Sequence, residues 1–194
     1  KVSPGCDHCY AETRNARFGG GTATNWGPGA PRRRTSASNW AKPLRWNLEA
    51  AAFFAQHGRR QRVFCASLAD VFDNAVDPTW RYDLFALIEK TRNLDWLLLT
   101  KRIGNAGPMI HDWTRNPERY MRNVWIGATI VNQEEANRDI PKLLATPATA
   151  SPAPTSAPRT ARGARIVQMT AGARGGGVRD QHGRAVAATG AVER

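Results

Sequence analysis

Residues 95–100 read Asp-Trp-Leu-Leu-Leu-Thr, a short run whose centre is uninterruptedly apolar. Such a run suits a β-strand covered on both faces, as in a parallel sheet. Two others share its character: Arg62-Val63-Phe64-Cys65-Ala66 upstream, and Val124 to Ile130 (VWIGATI) downstream. Their starts lie about 30 residues apart, the length of a strand–helix unit. Helical patterns sit around them. Pro78 to Arg92 sets Trp80, Leu84, Leu87 and Ile88 on one face, with Asp77-Pro78 as cap and first turn. Gln133 to Ala145 sets Ala136, Ile140, Leu143 and Leu144 on another, and Pro141 is expected to interrupt or kink it. Leu48 to His57 reads as a helix ahead of the first strand. This alternation predicts an α/β fold, a (β/α) barrel or partial barrel with parallel strands.

In such a fold the working residues gather where strands end at their C-termini. Ser67 and Asp70 follow the first run, Thr100, Lys101 and Arg102 end the second, and Thr129 and Asn132 lie at the third. Each one alone is ordinary loop polarity, with Asp70 as a helix cap. Three successive strand ends with hydrogen-bonding groups make the set a candidate rim.

The stretch from Phe18 to Trp46 fits neither period and is expected to be an extended loop, punctuated by Gly19-Gly20-Gly21, Gly27-Pro28-Gly29 and Pro31. Arg32-Arg33-Arg34 lies there between Trp26 and Trp40, followed by Lys42, Arg45 and Trp46. Guanidinium groups interleaved with indoles suit phosphates and stacked bases, or one nucleotide-like ligand. The alternative is a solvated basic loop whose tryptophans anchor it to the domain.

Composition narrows the class. The chain has 194 residues and 41% hydrophobic content, enough for a sizeable core. No run approaches the ~18–20 apolar residues of a membrane span, and no signal peptide is visible. Three cysteines, an odd number, are too few for a disulfide scaffold. A soluble, cytoplasmic protein is expected, with no membrane partner. The net charge of +12 favours an anionic substrate or a nucleic acid. From Ala148 to Arg194 there is no Phe, Trp, Tyr or Leu, and seven Arg stand against Asp180 and Glu193. That segment buries too little apolar surface to offset the entropy of ordering it. Residues 1–147 are therefore expected to form the α/β domain, and residues 148–194 a mostly disordered or frameshifted tail.

The sharpest chemical signal is Ser3-Pro4-Gly5-Cys6-Asp7-His8-Cys9-Tyr10-Ala11-Glu12. A Cys-x-x-Cys pair can hold one zinc or two irons of a cluster. There is no second pair, and His57, His111 and His182 are isolated, so a structural zinc site is short of ligands. Lys1 stands directly before the motif without an initiator methionine, and further residues are expected ahead of it.

The run SPGCDHCYAE, then WGPGAPRRRTSASNW with KPLRWN, RVFCASLADVFDN, LDWLLLTKR and NVWIGATIVNQEEANRDIPKLLATPA, resembles the phage Gp37/Gp68 family from Lys1 to about Ala148. Members of that family carry three N-terminal cysteines, arranged like the cluster loop of radical S-adenosylmethionine enzymes. Cys6 and Cys9 match the second and third, and the first falls just ahead of Lys1. The resemblance implies a [4Fe–4S] cluster and S-adenosylmethionine as cofactors, with Cys6 and Cys9 as iron ligands. His8 and Tyr10 would stand beside the cofactor, Ser67, Asp70, Thr100 and Lys101 would line the mouth, and Arg32, Arg33, Arg34 and Arg102 would recruit an anionic substrate. Cys65, on the first strand, reads as a small core residue rather than a third ligand. A binding protein for nucleic acid, with the cysteine pair as a clasp, is the alternative, and a phage remnant without activity a third.

Overall fold

The computed structural model describes residues 2–7, 9–18, 21, 26–27, 29–66, 68–147 and 164–168, the last as backbone. A 3-10 turn (Pro4–Cys6) precedes helices α1 (Tyr10–Phe18), α2 (Ala37–Leu48) and α3 (Ala50–His57). Then come β1 (Arg62–Cys65), α4 (Pro78–Lys90), β2 (Asp95–Thr100) and α5 (Ile103–Trp113). The single-turn α6 (Pro117–Tyr120), β3 (Val124–Ile130), α7 (Gln133–Ala145) and β4 (Ala164–Gln168) complete the order.

β1, β2 and β3 form a parallel sheet in chain order, and β4 pairs in parallel along the far side of β3. Val63 sits opposite Trp96, and Leu98 opposite Ile126. A sheet that grows in one direction through right-handed crossovers puts its linking helices on one face. The core shows this arrangement. Val63, Trp96, Leu98, Ile126 and Ile130 share one buried cluster with Phe85 of α4, Ile110 of α5 and Leu143 of α7. Within it, Trp96 Nε1 donates to Thr91 Oγ1 at 3.0 Å, and that hydroxyl donates to the Leu87 carbonyl at 2.7 Å. The other face is barer. Phe64 is 47% exposed, and Leu97, Leu99 and Trp125 are half-buried. The described strands make an open sheet; they do not close the barrel that strict alternation suggested.

β2, β3 and α7 span the residues read from the sequence, and β1 ends one residue early, at Cys65. α4 stops at Lys90 because Thr91 leaves helical geometry (φ −117°, ψ 53°) and its hydroxyl turns back to the Leu87 carbonyl. Pro141 does not interrupt α7. It lies on the exposed side, where its ring faces solvent rather than the sheet. Leu144, expected on the apolar face, is 53% exposed.

The expected loop over 18–46 is corrected. Its last third belongs to α2, which runs through Pro43 to Leu48. Trp40, Pro43 and Trp46 recur at three-residue spacing, with Pro43 buried and both indoles packed against the core. That contact overrides the local loop signals of Ser, Asn and Pro. The helix read over Leu48–His57 begins at Ala50, after a break at Glu49, and is closed by Gly58 in the left-handed region (φ 64°). The tail contributes β4, which the sequence reading does not anticipate. A short β-branched run, Ile166-Val167, lies against the open edge of β3. The rest of 148–194 lies outside the described residues.

Candidate functional site

The cysteine motif folds as the 3-10 turn followed by the start of α1. Ser3 caps the turn, its hydroxyl accepting from the Gly5 amide at 3.0 Å, and Cys6 N donates to the Ser3 carbonyl at 2.9 Å. Cys9 stands at the head of α1, where its carbonyl accepts from Glu12 N at 3.0 Å. Both thiols are free and partly exposed. The turn is seated on the sheet. A β-carbon built on Gly5 would stand 2.8 Å from Val131 Cγ1 and 3.7 Å from Lys101 Cε. Val131 directly follows β3 and Lys101 directly follows β2, so the cysteine loop lies over the C-terminal tips of two neighbouring strands. A side chain at position 5 would force the seat apart.

The rim beneath it is tied by Asp70. Its Oδ1 accepts from Thr100 Oγ1 at 2.7 Å and from Phe72 N at 3.0 Å, and its Oδ2 accepts from Lys101 N at 3.0 Å. Thr100 Oγ1 also accepts from Arg102 N at 2.8 Å. Asp70 and Thr100 therefore link the loop after β1 to the end of β2, and their hydrogen-bonding capacity is largely used in doing so. The Lys101 side chain is the part of this group that reaches the cysteine loop.

A second node forms around Asp73, three residues on. Arg32 Nε donates to its Oδ2 at 2.9 Å, and Arg102 Nη2 lies 3.2 Å from its Oδ1. Burial alone would raise this carboxyl, but the Ala75 amide, Arg102 and Arg32 outweigh it and hold it below the usual carboxylate range. Buried Arg81 braces the same loop from α4, donating to the carbonyls of Val71 at 3.1 Å and Asp73 at 3.3 Å. Arg34 pairs with Asp83 at 2.7 Å and lies 4.2 Å over the Trp40 ring. Of the three consecutive arginines, only Arg33 is exposed without a partner among the described residues.

The structure thus brings Cys6, Cys9, Asp70, Thr100, Lys101 and Arg102 to one end of the sheet, with Arg32 reaching it through Asp73. It takes Arg34 away to α4. His8 and Ser67 lie outside the described residues, as does the Tyr10 side chain; the Tyr10 backbone opens α1. Cys65 packs against the core, and burial pushes its thiol up to about 12, which keeps it a neutral core group. Glu135 is absent from the sequence reading. It is 2% exposed, and its Oε2 accepts from Val131 N at 3.0 Å. The signal was present as Asn132-x-x-Glu135, a capping pattern directly after a strand: Asn132 Oδ1 accepts from Glu135 N at 2.8 Å.

Two thiols are a partial ligand set for a cluster that keeps one iron open. Among the described residues no group of three Cys, His, Asp or Glu is placed to hold a metal ion. No helix among them is long and apolar enough to cross a membrane. A family model described as "Protein of unknown function (DUF5131)" matches residues 1–152. No curated protein and no solved structure matches the chain.

Proposed function

We propose that this chain, which belongs to the DUF5131 family, is an iron–sulfur protein of the radical S-adenosylmethionine type, built on part of a (β/α) barrel. The observation that carries the reading is the position of the cysteine loop: Gly5 rests against Val131 and Lys101, at the strand ends where α/β folds place their chemistry. Sequential parallel strands with α4, α5 and α7 on one face are also what a segment of such a barrel has. Cys6 and Cys9 would be two of three iron ligands; the third thiolate would have to come from outside this sequence, whose remaining cysteine, Cys65, packs against the core. When bound, the cluster would supply an electron for reductive cleavage of the cofactor. Asp70 and Thr100 hold the rim in shape, Lys101 offers positive charge beside the loop, and Arg102 with Arg32 sets the sign of the substrate as anionic.

Anaerobic incubation with iron and sulfide, in excess of a low-molecular-weight thiol, tests the reading. The expected product retains iron and shows broad thiolate-to-iron absorbance. Cys6→Ser and Cys9→Ser abolish both signals, and Cys65→Ser changes neither. A wild-type protein that retains no iron, or one whose iron survives loss of Cys6 and Cys9, overturns it.

Nucleic-acid binding is the second reading, favoured by exposed Arg33, which has no partner among the described residues, beside the Arg34–Trp40 stack. It places the phosphate contact away from the cysteine loop, on the segment that leads into α2.

A further inference from the structure

Beyond Ser3 of its own turn, Gly5 meets Val131 and Lys101, and the backbone amide of each of these two is held by a buried or partly buried carboxylate. Lys101 N donates to Asp70 Oδ2 at 3.0 Å, and Val131 N donates to Glu135 Oε2 at 3.0 Å. The two carboxylates come from different places, Asp70 from the loop after β1 and Glu135 from the first turn of α7. They grip equivalent positions, the first residue beyond β2 and the first beyond β3. We infer that Asp70 and Glu135 are paired positioning residues, which fix the two strand tips so that the cysteine loop has one seat.

Glu135 argues most strongly for a role beyond capping. Asn132 already caps α7 through its own side chain. The Glu135 carboxylate is nonetheless buried, with Oε1 lacking a hydrogen bond among the described residues and Arg138 Nη2 at 3.7 Å. Keeping a carboxylate so poorly solvated costs stability, and what it secures is the amide of the residue against Gly5. Asp70 is likewise directed to the tip: Thr100 Oγ1 donates to it and so orients it toward Lys101 N. Neither residue is assigned to the chemistry; each acts through the residue it holds.

The inference concerns the loop of the proposed cluster, but it is read from thiol exposure in the metal-free protein and so stands apart from iron binding. The experiment follows alkylation of each cysteine by iodoacetamide under native conditions, resolved by peptide mass spectrometry. Cys65, partly buried on β1 and packed against the core, is the internal comparison in the same sample. Asp70→Ala and Glu135→Ala are expected to speed modification of Cys6 and Cys9 roughly tenfold, with Cys65 unchanged, as local opening requires. Asp70→Asn and Glu135→Gln keep an acceptor oxygen and are expected to stay within about twofold of wild type. Unchanged Cys6 and Cys9 rates in both alanine variants overturn the inference, and so does a parallel rise at Cys65, since the loop is then not selectively held. Should the alanine variants not fold, Gly5→Ala tests the seat directly. It is expected to expose the same two thiols, and Val131→Ala in the same chain is expected to protect them again; no change on Gly5→Ala overturns the inference. A protein that shows the alkylation pattern yet retains no iron removes the proposed function and leaves the positioning role standing.

Discussion

Asp73 accepts from two arginines that are distant in sequence, and this makes it an acid-sensitive point of the rim. Its carboxyl is held below the usual carboxylate range in the folded protein, so the stability it contributes is complete above the unfolded value, near pH 4. It is lost as pH falls through the lower folded value. Melting temperature measured across acid pH should fall less steeply in Asp73→Asn than in wild type, while at neutral pH the variant should be less stable by about 1–3 kcal/mol. Arg81 makes a complementary case. It is 4% exposed and serves two loop carbonyls, so Arg81→Leu should cost about 2–4 kcal/mol in denaturant titration by leaving them unpaired. Residue identity at this rim was legible from the sequence, because polar side chains after apolar runs stand out. Partnership was not: nothing in Arg32-Arg33-Arg34 distinguishes the arginine bound to Asp73, the one bound to Asp83 and the one left to solvent. Binding of generic RNA or DNA, titrated against salt, should separate them. Arg33→Ala is expected to reduce the log–log slope by about one contact, and Arg32→Ala chiefly to destabilise the fold.

Elements were legible in proportion to how much their own residues decide them. β2 and β3 are apolar enough that a strand with a buried face suits them, and Asn132 and Asp77 mark the starts of α7 and α4 with side-chain caps. α2 shows the opposite case. Its Ser, Asn and Pro content favours a loop, and it is helical because Trp40, Pro43 and Trp46 find the core only in that geometry. α5 was not anticipated either: Gly104, Gly107 and Pro108 interrupt its pattern, yet Ile103, Ala106 and Ile110 are buried along one face. α7 carries a testable imperfection. Pro141 sits well inside the helix, on its exposed side, where it removes one amide donor and no packing replaces it. Pro141→Ala is therefore expected to stabilise the protein by about 1–3 kcal/mol, measured by chemical denaturation. An unchanged midpoint would mean that the helix has already relaxed around the ring.

At the scale of the molecule, charge and topology have separate consequences. The excess of basic residues is visible from composition; such a balance favours anionic partners in general and says nothing of where one would dock. Topology brings the turn at Pro4–Cys6 onto the ends of strands that lie far along the chain. No periodicity in the sequence could show that contact, because it depends on Gly5 having no side chain opposite Val131. The strand order has a consequence of its own. Each described strand after β1 pairs with the one made just before it, about 30 residues back for β2 and β3 and about 40 for β4, so closure entropy is met in modest steps. During synthesis, the neighbour of β2, β3 or β4 has already been made when that strand leaves the ribosome. The nascent chain can then add one layer at a time, never holding a gap open for a partner not yet translated.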